Sequence, residues 1–232
     1  MALIINIETA TTVCSVALSR DGLLLSLREV NEGFTHSEKL TVFIEQMMKE
    51  AGIPFSMLDA VAVSSGPGSY TGLRIGVSTA KGLCFALDKP LIAIPTLKSL
   101  ALKSRQSTVD SRRSDFCYCS MLDARRMEVY CAVYDENLAE LEPVSAKVMD
   151  ENSFSELLKE KRVYFFGDGA AKCKPLLSHH PNAVFMDDLF TSAAAMIELA
   201  EEKFLRRDFE NVALFEPFYL KEFVAGKKGT AL

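Results

Sequence analysis

Short apolar runs near the start of the chain predict a group of neighbouring β-strands. Apolar residues dominate positions 3–7, 13–18 and 23–30, which are lengths typical of strands rather than helices. The sequence Arg20-Asp21-Gly22 is a turn signal between the last two runs. Because the connections between the three runs are short, we expect an antiparallel meander.

The next segment has the periodicity of an amphipathic helix. Apolar residues recur every three or four positions from Leu40 to Ala51. Thr35 and Glu38 have the spacing of a capping box, and Gly52 suits a C-terminal stop. A strand predicted over 58–64 then leads through a glycine-rich loop into a second helix over 72–87.

The same order of elements is predicted a second time after a polar stretch. Residues 104–115 contain almost no apolar side chain, so they predict a linker behind a strand at 90–94 and a helix at 96–105. Strands are then predicted at 116–122, 128–134, 141–149, 162–166 and 183–186, and helices at 153–160, after Gly167 and at 191–207. We interpret the repeat as a structural duplication with lobes at 1–106 and 107–210, and with 211–232 returning to the first lobe.

Composition and charge narrow the functional classes. The net charge of −5 argues against a protein that coats nucleic acid. The chain has no apolar run long enough to span a membrane, and its start does not resemble a secretion signal, so we expect a cytoplasmic protein. The six cysteines lie mostly in apolar runs and are predicted core residues, and Cys117 and Cys119 lack the spacing of a zinc site.

The most specific local feature is Ser-Gly-Pro-Gly-Ser-Tyr-Thr-Gly at 65–72. Glycines between a strand and a helix allow a ligand close to the backbone, and a helix start attracts anions. The loop lacks the lysine of a P-loop and the spacing of a dinucleotide fingerprint. It is therefore either an anion site or a tight turn that binds nothing.

Small residues also recur within the second predicted helix. Gly72, Gly76 and Ala80 are four residues apart, and glycine in a helix costs about 1 kcal/mol relative to alanine. Such a stripe indicates that something packs very close to this helix. It is either another helix of this chain, with the bulky face of the first helix as the first candidate, or a partner subunit.

Candidate catalytic residues are sparse. The chain has three histidines and no His-x-x-x-His or Gly-x-Ser-x-Gly motif, so neither a histidine-based metal site nor an esterase-type serine is predicted. Four acids lie near predicted strand ends, where they serve either catalysis or turn capping. These are Glu8, Asp123, Glu128 and Asp168.

Taken together, several motifs resemble the TsaB (YeaZ) family, which is related to the transferase TsaD. The resemblance covers nearly the whole chain in order. It rests on the segments 4–18, 65–76, 80–83, 122–130, 166–169 and 216–220. It implies an α/β protein with the actin-like ATPase (ASKHA, ribonuclease H-like) fold, whose two duplicated lobes have mixed sheets flanked by helices.

The resemblance also implies a role in making N6-threonylcarbamoyladenosine in tRNA. Members act with TsaD and TsaE as a noncatalytic scaffold or activating subunit, contact tRNA through the complex, and are expected to form a homodimer when alone. We expect this chain to bind no metal and no cofactor by itself. ATP or ADP would bind at the interface of the complex. TsaD carries a metal-binding His-x-x-x-His, and the equivalent positions here are Thr96 and Leu100.

Two sets of site residues follow from the resemblance. The expected partner interface comprises Leu40, Phe43, Met47, Gly72, Leu73, Gly76 and Ala80. Vestigial nucleotide-binding positions are Glu8, Thr9, Gly66, Gly68, Asp123, Gly167 and Gly169. Glu8 stands where most of the family has aspartate, which makes independent nucleotide hydrolysis a weaker expectation.

Two other functions stay open on the sequence alone. One is a peptidase or an ATPase in its own right, supported by the glycine-rich loop with Glu8 and Asp123. The other is a direct tRNA-binding module with a local basic patch. That patch would comprise Lys98, Lys103, Arg105, Arg112, Arg113, Lys227 and Lys228.

Overall fold

The computed structural model describes residues 2–33, 35–107 and 115–221, and these form two five-stranded sheets with flanking helices. The first sheet contains strands Leu3–Glu8 (β1), Cys14–Arg20 (β2), Leu23–Val30 (β3), Ala60–Gly66 (β4) and Leu91–Pro95 (β5). The second contains Phe116–Asp123 (β6), Glu128–Tyr134 (β7), Glu140–Val148 (β8), Arg162–Phe166 (β9) and Ala183–Met186 (β10). The helices are His36–Ala51 (α1), Tyr70–Leu87 (α2), Thr96–Ser107 (α3), Ser155–Glu160 (α4), Ala170–Leu177 (α5) and Ile197–Arg206 (α6).

The two sheets have the same topology. The order is β3-β2-β1-β4-β5 in the first sheet and β8-β7-β6-β9-β10 in the second. In each, the first three strands form an antiparallel meander and the last two add in parallel. The predicted duplication and the predicted mixed α/β architecture are confirmed.

Alternation along β1 gives the first sheet two buried faces. Ile5 and Ile7 pack with α1 and α2, whereas Ile4 packs on the other face with Ala193 and Ala200. Backbone N–H of Ala193 donates to Ser15 Oγ at 2.9 Å, which joins the 3₁₀ turn Ala193–Met196 to the first sheet. The predicted second lobe, 107–210, therefore needs correction here, because its last helix packs on the first lobe.

The second sheet is also covered on both faces. One face carries Cys117, Cys119 and Cys131 and packs with α4 and α5, and α5 contributes Cys173 to the same core; all four are buried and unbridged. The other face packs with α3, and Ser120 Oγ donates to the carbonyl of Leu97 at 2.8 Å. Helix α3 thus follows the last strand of the first sheet directly and packs on the second.

Some predicted element ends differ from the structure. Thr35 precedes α1, but its φ of −91° and ψ of 6° are not the extended values of a cap, and its side chain makes no capping hydrogen bond. Gly52 does end α1, at φ 64°. Helix α3 continues to Ser107, into the predicted linker, and residues 108–114 lie outside the described residues.

The segment after α6 returns along the first lobe. Backbone N–H of Glu210 donates to the carbonyl of Leu91 at 2.9 Å, and that of Phe218 donates to Ser65 O at 2.7 Å. Lys81 Nζ of α2 donates to the carbonyl of Phe215 at 2.9 Å. The described part of this segment therefore crosses from β5 to the glycine-rich loop.

Within the described ranges, no helix is both long and apolar enough to cross a bilayer.

Candidate functional site

The glycine-rich loop packs directly on the β1–β2 turn. Backbone N–H of Ser69 donates to the carbonyl of Ala10 at 2.6 Å. A Cβ placed on Gly68 would lie under 3.0 Å from Ala10, and one placed on Gly72 would meet the carbonyl of Thr9 equally closely. At these two positions the glycines are required by intramolecular packing, because any side chain would displace the turn.

Glu8 lies at the end of β1, completely buried. Its Oε1 accepts a hydrogen bond from the backbone N–H of Ala10 at 2.6 Å, and Oε2 has no hydrogen-bond partner among the described residues. Burial raises the pKa of this carboxyl from 4.5 to about 7, although the Ala10 bond opposes the shift. The neutral form of this carboxyl is therefore favoured up to a higher pH than in an exposed glutamate, and the group is closed off from solvent in this conformation.

The corresponding turns of the second lobe lie together in the same way. A Cβ placed on Gly167 or Gly169 would lie under 3.0 Å from the end of β6. Asp168 Oδ1 accepts from the backbone N–H of Asp123 at 3.1 Å, and burial raises the pKa of Asp168. Lys172 forms an ion pair with Asp123 and donates to the carbonyl of Glu128 at 2.6 Å, so it neutralises charge at this turn.

The predicted nucleotide-binding residues therefore form two groups in separate lobes. Glu8 and Thr9 lie with the glycine-rich loop of the first lobe, which includes Gly66 and Gly68, and Asp123 lies with Gly167 and Gly169 in the second. Their role toward nucleotide stays a prediction.

The positions at which the resemblance places metal ligands are part of the core. Thr96 and Leu100 are both fully buried, and Thr96 Oγ1 accepts from the backbone N–H of Gly66 at 3.2 Å. Leu100 packs against Gly167 of the second lobe. In the part of the chain that the structure describes, no three His, Cys, Asp or Glu side chains group around a metal position. These residues do not fit the metal centre of the transferase.

Most of the predicted partner interface is intramolecular core, which corrects that assignment. Leu40, Met47, Leu73 and Ala80 are 0–1% exposed. Gly72 and Gly76 are also buried, and a Cβ on Gly76 would collide with Thr9 Oγ1. Phe43 is half-buried. The β1–β2 turn lies directly over the small-residue stripe, and larger side chains on this face of α2 would collide with it.

The outer surface of α1 and α2 is formed by other residues, which sequence reasoning missed. Val42 is 41% exposed and Phe85 is 88% exposed. Gly82 is exposed, and a Cβ placed on it would have no neighbour within 4 Å. Their position just outside the buried helical stripe is the sequence signal that identifies them.

Two side chains of the candidate basic patch already have partners within the chain. Lys103 Nζ donates to the carbonyl of Phe190 at 2.9 Å, and Arg105 pairs with Glu198 at 3.0 Å. Lys98 lines a groove of about 540 Å³ between the lobes, beside Gly66 and Phe218. The remaining members, Arg112, Arg113, Lys227 and Lys228, lie outside the described residues.

Comparison with known sequences identifies the family. A profile of the family described as "TsaD: tRNA N6-adenosine threonylcarbamoyltransferase" matches residues 33–228. The tRNA threonylcarbamoyladenosine biosynthesis protein TsaB of Bacillus subtilis is 31% identical over 180 residues, which cover 75% of this chain and 74% of that protein. The TsaB of Haemophilus influenzae is 27% identical over 97% of this chain and 96% of its own length.

Comparison with solved structures supports the fold. YeaZ from Pseudomonas aeruginosa has a TM-score of 0.75 at 24% identity and covers 95% of this chain and 100% of its own. The activator of 2-hydroxyisocaproyl-CoA dehydratase from Clostridium difficile, solved with bound ADPNP, has a TM-score of 0.50 at 9% identity, over 90% of this chain and 98% of its own. The protein has the actin-like ATPase fold that the resemblance implied, and it belongs to the TsaB (YeaZ) branch of the TsaD family.

Proposed function

We propose that this chain is a noncatalytic activating subunit in the biosynthesis of N6-threonylcarbamoyladenosine in tRNA. It acts in the cytoplasm as the partner of TsaD and TsaE and meets tRNA through their complex. Support for the pathway comes from the names of its relatives. The observation that carries the noncatalytic role is that Thr96 and Leu100 are buried packing residues at the positions of the metal ligands.

The geometry of the turns also favours a supporting role. Glu8 is closed off by burial, and Asp123 is neutralised by Lys172. A nucleotide phosphate would need free amides and a placed cation, and these turns instead pack on the chain itself. We therefore assign ATP or ADP to the interface of the complex rather than to this chain alone.

The surface we propose for TsaD is the outer face of α1 and α2. Val42, Phe85 and the open Gly82 offer apolar area and close approach on helices that the buried stripe holds in place. Exposed apolar side chains of this kind favour association. In the absence of TsaD, the same face is proposed to pair two copies of this chain.

Reconstitution tests the pathway assignment. TsaD, TsaE, tRNA and threonylcarbamoyl-AMP are combined with and without this chain, and modified adenosine is measured by mass spectrometry of digested tRNA. Modification is expected only when the chain is present. Equal modification without the chain would contradict this assignment. If the purified chain turned over ATP or peptide and Glu8→Ala abolished that turnover, the chain would instead be an enzyme in its own right.

A substitution at Gly82 tests the surface. Gly82→Arg adds a long side chain where nothing lies within 4 Å, so the fold should survive while co-purification with TsaD is lost. Gly76→Leu is unsuitable, because its side chain would collide with Thr9. The matched control is Leu205→Arg on α6, at a residue 73% exposed on the opposite side of the first sheet. Unchanged TsaD binding by folded Gly82→Arg would contradict this surface.

A further inference from the structure

The outer strand of the first sheet is unusually apolar for an open edge. Within the described residues, β3 pairs with β2 on one side and has no strand on the other. It carries four exposed leucines: Leu23 at 70%, Leu24 at 48%, Leu25 at 47% and Leu27 at 40%. Edge strands present unpaired backbone groups and are normally protected by charge or proline, so an apolar open edge is typical of a binding surface.

A β-bulge limits how much of this edge another strand could use. Leu24 is paired with Ser19 and Ser26 with Leu18, so Leu25 is an extra residue in β3. Regular pairing runs from Ser26 to Val30. The bulge disfavours long, uniform pairing of the kind that leads to aggregation, and leaves room for a short strand.

Beside this edge lies a groove lined by apolar and polar side chains, with one unsatisfied carboxylate oxygen and with Glu198, which is already paired with Arg105. The groove has a volume of about 430 Å³, and its lining includes Leu24, Ala194 and Ile197. Glu201 also lines it, and Glu201 Oε2 is buried without a hydrogen-bond partner among the described residues. Because a buried carboxylate oxygen without a partner is costly, the groove is complementary to a cationic side chain.

We propose that β3 binds an extended, basic segment of a partner protein. The segment adds to the open edge along Ser26–Val30 by backbone hydrogen bonds, as in β-strand addition. A lysine or arginine of the segment lays its aliphatic stem on Leu24 and directs its charge to Glu201. The exposed leucines Leu25 and Leu27 cover its apolar residues.

A second copy of this chain fits the same edge less well. The basic residue of its own β3 is Arg28, and Arg28 already forms an ion pair with Glu50 of α1. Pairing two copies through β3 would therefore require that ion pair to break before a cation could reach Glu201. A separate basic segment has no such requirement.

Peptide binding to the full chain tests the proposal. The probes are a labelled seven-residue peptide of alternating valine and arginine and the same peptide with norleucine in place of arginine, measured by fluorescence anisotropy. The arginine peptide should bind the wild type, and Glu201→Gln should weaken it about tenfold, since a charge-assisted bond is lost. Glu201→Gln should leave the affinity for the norleucine peptide unchanged.

Edge variants separate strand addition from a purely ionic contact. Leu27→Lys and Leu25→Lys should each weaken both peptides, because a charge at the edge opposes an apolar strand. Val148→Lys is the matched control, since Val148 is 71% exposed on β8, the outer strand of the second sheet. Alternate backbone amides of Ser26–Val30 should also exchange more slowly with deuterium when the arginine peptide is present.

Three results would overturn the proposal. These are a lack of binding of the arginine peptide to the wild type, equal affinities for wild type and both edge variants, and a β3-dependent dimer in sedimentation that excludes the peptide. None of the measurements uses TsaD, TsaE or tRNA. The outcome is therefore independent of the function proposed above.

Discussion

At the residue scale, Glu8 is the most unusual group of the described chain. Its carboxyl is fully buried, has one oxygen without a hydrogen-bond partner among the residues that the structure describes, and has a pKa raised to about 7 by burial. A residue in this state couples folding to pH, because the unfolded chain ionises the same carboxyl at a much lower pH.

Stability should therefore fall as pH rises from about 4.5 to about 7. Below this range Glu8 is protonated in both the folded and unfolded states, so it has no effect on their balance. Above it the folded state has to hold a buried charge, and the full loss is about 3 kcal/mol for a shift of this size. In Glu8→Gln this contribution should disappear, as measured by urea unfolding at pH 5 and pH 8.

An exposed glutamate supplies the control. Glu160→Gln lies at the exposed end of α4 and should keep the pH dependence of the wild type. Parallel pH profiles for Glu8→Gln and the wild type would show that the carboxyl is not buried as the structure has it.

Residue spacing predicted that something packs closely on α2 but did not predict which segment of the molecule it is. The interval of Gly72, Gly76 and Ala80 correctly indicated a near neighbour on one helix face. That neighbour is Thr9, more than sixty positions earlier in the chain, for Gly72 and Gly76 alike. Periodicity identifies a face but carries no information about which distant turn meets it, so a partner subunit and the chain's own turn could not be distinguished.

At the element scale, the strands and helices were largely predictable because each follows a local period. The location of α6 was not, since an amphipathic helix fits the buried face of either sheet equally well by pattern alone. The missing side-chain cap at Thr35 has a local cause, since the backbone before α1 has left the extended region that a cap requires. Thr35 Oγ1 is consequently buried without a partner among the described residues.

One side chain of α2 contributes two of the hydrogen bonds that hold the C-terminal segment in place. Lys81 Nζ donates to the carbonyls of Ala213 and Phe215, at 3.2 and 2.9 Å. Lys81→Met keeps the aliphatic stem but removes both hydrogen bonds. The free energy needed to open residues 210–219 should therefore fall by about 1–2 kcal/mol. Hydrogen exchange of these amides should quicken while exchange in β1 stays unchanged.

A second lysine distinguishes this effect from a general loss of charge. Lys159 of α4 pairs with Glu156 within its own helix at 2.7 Å, and Lys159→Met should leave the exchange of 210–219 unaltered. If Lys81→Met behaved like Lys159→Met, other contacts of the segment would have to hold it in place. The bonds of Glu210 to Leu91 and of Phe218 to Ser65 would be the first to examine.

At the scale of the whole molecule, the two lobes share one helix rather than only a linker. Helix α3 begins immediately after β5, and its side chains Leu97, Leu100 and Ala101 belong to the core of the second sheet. The 3₁₀ turn and α6 return in the opposite direction, from the second lobe to the first. The duplicated order of strands made the two-lobe fold predictable, whereas these crossed helices arise from long-range packing that no local pattern records.

Because α3 follows the first sheet directly and packs on the second, a cavity where the lobes meet should affect how the whole molecule unfolds. Leu100 is fully buried and packs against Gly167 of the second lobe, so Leu100→Ala should lower the free energy of unfolding by about 2–5 kcal/mol. Because the lost contacts join the lobes, we expect the wild type to unfold in one calorimetric transition and Leu100→Ala in a broader or divided one. Leu205→Ala, at a residue 73% exposed, should leave the transition unchanged. A Leu100→Ala protein that unfolds in one transition at the wild-type temperature would mean that α3 does not couple the lobes.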